Sequence, residues 1–261
     1  MPQEDESPGQ LHACVIECLA IVAKALKPVI TNLVSEEDVK NFKPSLDTRH
    51  KKSLDDPSVL LEVIDGFWKS KSIGKAFNNN YRSNIKRLRQ IRNIACHNDP
   101  LLSRQETKNA LTNAKAILKA AAVAEQYVPK IEILEKRLES QTEKAIKIAK
   151  HLVYFAKEKK TLTYREVSNF AKLRNIPESF DYLDEINDIS NERAGVLLSI
   201  LVIGRNNMPG ERFFGKVVNQ WHRDLGSQSH KDFFDTECER VYQAASAGAL
   251  DFILMGKIFN D

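Results

Sequence analysis

Tyr81 to Pro100 reads YRSNIKRLRQIRNIACHNDP, and this stretch decides how the first half of the chain is built. Tyr81, Ile85, Leu88 and Ala95 recur at helical spacing, so one stripe of a helix faces a core. The helix is expected to run from Tyr81 to Cys96. Asn98-Asp99-Pro100 stops it, because proline cannot continue the hydrogen-bond ladder. Arg92 falls on the apolar stripe, where a guanidinium is costly unless an acid pairs with it or it faces a cleft. Its rigid fork suits a phosphate or a carboxylate.

The polar side of the same helix is basic. Arg82, Lys86, Arg89 and Asn93 share one face. From Lys69 to His97 there is no acidic residue, against eight basic ones (Lys69, Lys71, Lys75, Arg82, Lys86, Arg87, Arg89 and Arg92), in a chain with 35 Asp and Glu. Such a row, with Lys75 upstream of it, can lie along phosphates and give salt-sensitive affinity. An ordinary solvated face is the plain alternative. His97 brings a group that titrates near neutrality. Five residues is about 140° around a helix, so Arg92 and His97 cannot converge on one phosphate along a straight helix. Either the helix ends before His97, or another segment or a second protomer completes the site.

Outward from this helix, periodicity stays helical. Leu11 to Ile30 places Val15, Leu19, Val22 and Leu26 on one side, and Val59 to Trp68 is a compact apolar helix. Ser35 to Asp56 is a polar loop with one short helix. Ser103-Arg104-Gln105-Glu106 is a capping box that opens a helix to about Tyr127, and Pro129 is expected to break it. Residues 131 to 155 hold a seven-residue pattern: Ile131, Leu138, Ala145 and Leu152 in one set, Leu134, Gln141, Ile148 and Phe155 in the other. That seam suits a coiled-coil partner or a long helix packed on a bundle.

These residues bear a resemblance. Arg92-Asn93-Ile94-Ala95-Cys96-His97, near the end of a helix in an all-helical segment, resembles the signature of the HEPN superfamily. His97-Asn98-Asp99-Pro100 before a capped helix, and the upstream helix ending in Phe67-Trp68, are similar to one branch of it. The resemblance covers roughly residues 10 to 127. It implies a metal-independent endoribonuclease in which two domains pack face to face so that two motifs line one cleft. By that resemblance His97 moves protons as the ribose 2′-hydroxyl attacks the adjacent phosphate, Arg92 stabilises the developing charge, and Asn93 orients the histidine or the phosphate. The products would carry 2′,3′-cyclic phosphate and 5′-hydroxyl ends. Asp99 stands where the toxin branch controlled by nucleotidyltransferase antitoxins has a tyrosine. Other members of the superfamily are non-catalytic binding or dimerisation modules.

After Lys160 the texture changes. Thr163-Tyr164-Arg165-Glu166 is a capping box opening a helix to about Leu173, and a second helix holds Leu183, Ile186 and Ile189. Gly195 to Ile203 reads as a buried strand, residues 204 to 210 as a turn, and Phe213 to Val218 as a second strand. Phe233 to about Ile258 is a final helix. Two helices followed by strand–turn–strand outline a winged-helix-like module, whose Arg165, Lys172, Arg174, Arg193, Arg205, Arg212 and Lys216 could touch a nucleic-acid backbone.

Bulk composition narrows the classes. The 261 residues are 42% hydrophobic and 28% charged with net charge +4, the profile of a globular protein and too weakly basic to identify a polyanion partner by itself. No apolar run approaches a membrane span. Cys14, Cys18, Cys96 and Cys238 form no C-x-x-C pair, so neither a disulfide framework nor a metal site is expected, and Cys96 is expected to be a buried structural residue. His151, His222 and His230 are scattered, and the 10 glycines form no phosphate-cradling loop.

The expectation is therefore a mainly α protein. It comprises a disordered tail (1–10), a HEPN-like helical bundle (11–128), a long connecting helix (129–160) and a smaller α+β, winged-helix-like domain (161–261). The catalytic candidates are Arg92, Asn93 and His97, and the nucleic-acid-binding candidates are Lys75, Arg82, Lys86 and Arg89. No cofactor is called for. The expected partners are RNA, a second copy of the chain and a regulatory protein, in the cytoplasm, in a toxin or antiviral setting. A non-catalytic HEPN-like module that binds nucleic acid or protein is the alternative.

Overall fold

The structure, a computed structural model, describes residues 9–42, 53–69, 73–77, 80–96, 102–221 and 229–259. The expected tail falls mostly outside these residues. The described chain is mainly α-helical and divides into two compact units, residues 1–139 and 140–261. No helix among the described residues is long and apolar enough to cross a membrane.

In the first unit, α1 (Gln10–Thr31) buries Val15, Leu19, Val22, Leu26 and Ile30, the three- and four-residue spacing that puts side chains on one face. A short α2 (Glu36–Asn41) follows a reciprocal box between Ser35 and Asp38. In α3 (Pro57–Gly66), Asp56 accepts the Ser58 N–H and Pro57 occupies the first turn, where its missing N–H costs nothing. Then come α4 (Ile73–Ala76), α5 (Arg82–Cys96) and α6 (Arg104–Ala120). Helix α1 packs on α3, α5 and α6, and α5 packs on α3 and α6, so α5 is held on three sides.

Two local expectations change. Ser103 caps α6 by accepting the Glu106 N–H, but the Glu106 carboxylate turns to Arg87, whose Nη2 lies 2.7 and 2.9 Å from its two oxygens. A charged fork outcompetes a single backbone amide. Pro129 does not start or stop a helix. Helix α6 ends earlier, Ala122 takes a left-handed φ of 57°, and α7 (Ala124–Lys157) runs on through Pro129. Proline near a helix start forfeits only one bond, so the helix survives it. The heptad seam is spent within the chain: Ile131, Leu134 and Leu138 join the first core, and Ala145, Ile148 and Leu152 join the second.

In the second unit, β1 (Leu162–Thr163) leads into α8 (Tyr164–Ala171), started by the Thr163–Glu166 capping box, and α9 (Glu178–Ala194) ends at Gly195 with φ 66°. A 3-10 turn over Leu198–Leu201 passes into β2 (Val202–Ile203), which pairs parallel with β1. Helices α10 (Glu211–Asn219), α11 (His230–Ser246) and α12 (Asp251–Leu254) complete it.

The strand–turn–strand outline is therefore corrected. Residues 195–203 are apolar enough for a strand, but only Val202 and Ile203 enter a ladder, and side chains take the amides of Leu197, Leu198 and Ser199. Asn187 Oδ1 accepts the Ser199 N–H at 2.8 Å, Ser190 Oγ accepts that of Leu198 at 3.2 Å, and Glu237 Oε1 accepts that of Leu197 at 2.8 Å. The expected second strand is helix α10. Phe213, Phe214, Val217 and Trp221 are buried at helical spacing, and α9 meets this segment through Asp184–Lys216 at 2.6 Å and through the Trp221 Nε1–H donated to Asp188 at 2.6 Å. The only β pairing among the described residues is the two-residue parallel one, so no hairpin wing is formed there. The final helix is likewise split, at Gly248, whose φ is 79°.

Candidate functional site

Helix α5 positions every described residue of the motif. Its core stripe is Ile85, Leu88, Ile91 and Ala95. Ile91 takes the position expected of Arg92, which sits one step round at the margin of the stripe and is half-buried. This removes the cost of a guanidinium in the core and leaves its fork at a cleft. That cleft is lined by Ser58, Leu61 and Glu62 from α3 and by Arg89, Arg92 and Asn93 from α5. Arg92 Nη1 donates to Asn93 Oδ1 at 3.0 Å, so the exposed amide orients the fork. His97 lies outside the described residues.

The basic face divides into two kinds of residue. Arg82 Nε and Arg89 Nη1 reach the two oxygens of Asp65 at 2.8 and 2.7 Å, and Arg89 Nη2 reaches Glu62 Oε1 at 3.2 Å. Asp65 and Glu62 are largely shielded, with side chains 13% and 12% exposed, so these pairs are worth more than surface ones. Arg82 and Arg89 thus fasten α5 to α3, their charge already compensated. Lys86 and Lys75 are exposed. Lys75, on α4, is not among the residues lining the cleft. The structure therefore brings Arg89, Arg92 and Asn93 together, and among the described residues Arg92 has no acidic partner.

Glu62 and Asp65 are the residues that reading the motif missed. A signal was present: they are the acids within the apolar Val59–Trp68 helix, three residues apart and so on one face, just before the acid-free stretch. Glu62 has a further property. Its Oε2 is buried and has no hydrogen-bond partner among the described residues, which leaves an acceptor at the wall of the cleft beside Arg92.

Cys96 is exposed, contrary to expectation, because it falls outside the stripe that ends at Ala95. The other three thiols are buried. Desolvation pushes Cys14 up to about 11 and Cys238 up to about 12, and raises Cys18 further, so none of these three supplies a thiolate at neutral pH. Among the described residues no three His, Cys, Asp or Glu side chains converge as a metal would need.

What the cleft can do chemically follows from these charges. A planar guanidinium fork, steadied by an amide and backed by a compensated arginine, has the chemistry to pair with an anionic group. Residues 17–122 match the family model described as Swt1-like HEPN. Neither a curated protein nor a solved structure matches the chain. The matched span contains α3, α5, the cleft between them and the Arg92-Asn93 pair, and the N-terminal part of this chain is accordingly a HEPN domain.

Proposed function

We propose that the N-terminal HEPN domain is a metal-independent endoribonuclease that works as a dimer, two copies of Arg92, Asn93 and His97 lining one composite site. The observation that carries this reading is the half-buried Arg92 fork, oriented by Asn93 at a cleft where Arg89 is already neutralised. His97 takes the proton of a ribose 2′-hydroxyl, and the oxygen attacks the adjacent phosphorus. The bond to the 5′-oxygen breaks, a proton passes to that leaving oxygen, and a 2′,3′-cyclic phosphate remains. Arg92 balances the charge that grows on the phosphate oxygens. DNA lacks the attacking hydroxyl and is left intact.

The test is incubation of the purified chain with labelled single-stranded RNA in EDTA, comparing wild type with His97→Ala and Arg92→Ala. Cleavage by wild type alone, with cyclic phosphate ends, establishes the reading. RNA bound and uncut by all three proteins replaces it with the second reading, a non-catalytic binding module. The ion pairs that occupy Arg82 and Arg89 remove two cations from the face expected to track phosphates, which under either reading leaves Lys75 and Lys86 as its exposed cations. In either case RNA and a second copy of the chain are the proposed partners, in the cytoplasm. A toxin or antiviral effector would show as growth arrest on expression, relieved by His97→Ala.

A further inference from the structure

The C-terminal half of α7 carries a second surface, on the side its core does not use. Ala145, Ile148, Ala149, Leu152 and Ala156 are buried in the second unit. Lys147, Lys150, His151 and Tyr154 occupy the opposite side, exposed or half-exposed, and Tyr154 is 57% exposed. From Lys144 to Lys160 the sequence has six lysines and one glutamate. Lys144, Lys157 and Lys160 pair with Glu178, Asp251 and Glu158. Lys147 and Lys150 make no ion pair among the described residues. Lys147 Nζ instead lies 4.7 Å from the centre of the Phe170 ring and donates to the Phe170 carbonyl at 3.1 Å. His151 stacks on the same Phe170 ring, the two centroids 3.8 Å apart and the planes at 11°. Burial lowers the His151 pKa, so at neutral pH the lysines supply the charge.

Two uncompensated ammonium groups followed, one turn on, by an exposed phenol form a row about 10 Å long, at 1.5 Å per residue. Lysines of this kind neutralise phosphates, and an exposed ring takes the face of an unpaired base. An acidic protein would satisfy the lysines but give Tyr154 no flat partner. We infer that this face of α7, formed by Lys147, Lys150 and Tyr154, binds single-stranded RNA. The choice of RNA among single-stranded polyanions rests on the N-terminal reading, while the surface stands on its own chemistry.

The experiment measures binding of a labelled single-stranded RNA over a series of salt concentrations. It uses the full chain carrying Arg92→Ala, so that the RNA stays intact. Lys147→Gln with Lys150→Gln should lower the slope of log affinity against log salt by about 1.4, two contacts at ~0.7 each. Tyr154→Ala should weaken binding about tenfold and leave that slope unchanged. Unaltered affinity and slope in both variants overturn the inference. So does loss of polyglutamate binding in the lysine variant with no effect of Tyr154→Ala, which would mark an unselective anion patch. Cleavage by the chain with Arg92 intact is scored separately. A chain that never cuts but shows both changes keeps this surface and loses the ribonuclease.

Discussion

Arg89 and Asp65 form the joint between the helix that bears the motif and the helix that walls its cleft, Nη1 to Oδ2 at 2.7 Å. Asp65 holds Arg82 as well, through its other oxygen at 2.8 Å and through its carbonyl. One carboxylate thus fixes the register of α5 on α3, twenty-four residues apart in sequence. Replacing it by alanine strands Arg82 and leaves Arg89 with Glu62 alone, each guanidinium still partly in water. Asp65→Ala is expected to cost about 1–3 kcal/mol in urea unfolding, between the values of exposed and buried pairs. A change inside ±0.5 kcal/mol would show that the joint carries no stability.

Arg92 has the opposite profile. Its described bond is to its own neighbour. Arg92→Lys keeps the charge but loses the planar fork. Cleavage should fall by roughly 100-fold or more, the scale of losing one oriented charge-stabilising donor. Unfolding free energy should move by less than about 0.5 kcal/mol, the usual range for surface substitutions. A variant that unfolds early would assign Arg92 a structural role instead.

Glu237 is 1% exposed, and both of its oxygens are used: Oε1 by the Leu197 N–H and Oε2 by Arg240 at 2.8 Å. Arg240 in turn donates to the Gly195 carbonyl at 2.7 Å. Glu237→Ala opens the segment that follows α9 and is expected to destabilise the protein by about 3 kcal/mol, the scale for breaking a buried charged pair. Thermal unfolding followed by circular dichroism checks this. RNA cleavage measured well below the melting point should be unaffected.

Asp188 supplies a pH test. Burial is the largest influence on its carboxyl and raises the pKa above the ordinary 3.8, against the bonds from Trp221 and Gln220. The folded state therefore holds this proton more tightly than the unfolded chain. Its contribution to stability is full below pH 3.8 and is lost as pH rises through the folded value. Asp188→Asn cannot titrate, so the difference in stability between variant and wild type should grow in the variant's favour from pH 4 toward neutrality. Parallel denaturation curves at each pH read it out, and a constant difference would sink the assignment.

The helices were legible where apolar residues recur with helical spacing. The first, third, fifth and sixth could be placed from the sequence, as could the Thr163 cap. The Arg92-Asn93 pair was legible as a motif. What stayed hidden depended on partners distant in sequence. Nothing near Arg89 points to Asp65, and Glu106 reads as a helix cap until Arg87 arrives beside it. The 195–203 run looked like a strand because its side chains are apolar, and that property does not say which groups will bind its amides. Residues 213–218 misled for a simpler reason. Adjacent Phe213 and Phe214 suggest strand composition, while their period with Val217 and Trp221 is helical.

The backbone of residues 195–199 is held by Ser190 and Asn187 of α9 and by Glu237 of α11 rather than by a neighbouring strand. This has a consequence for how the segment can change. A strand can be replaced by any sequence that keeps its backbone, since the ladder ignores side chains. Here the amides of Leu197, Leu198 and Ser199 should exchange with solvent as slowly as core helix despite lying outside regular helix and sheet. Grafting the segment elsewhere, or altering its length by one residue, would require matched changes at three positions on two other helices.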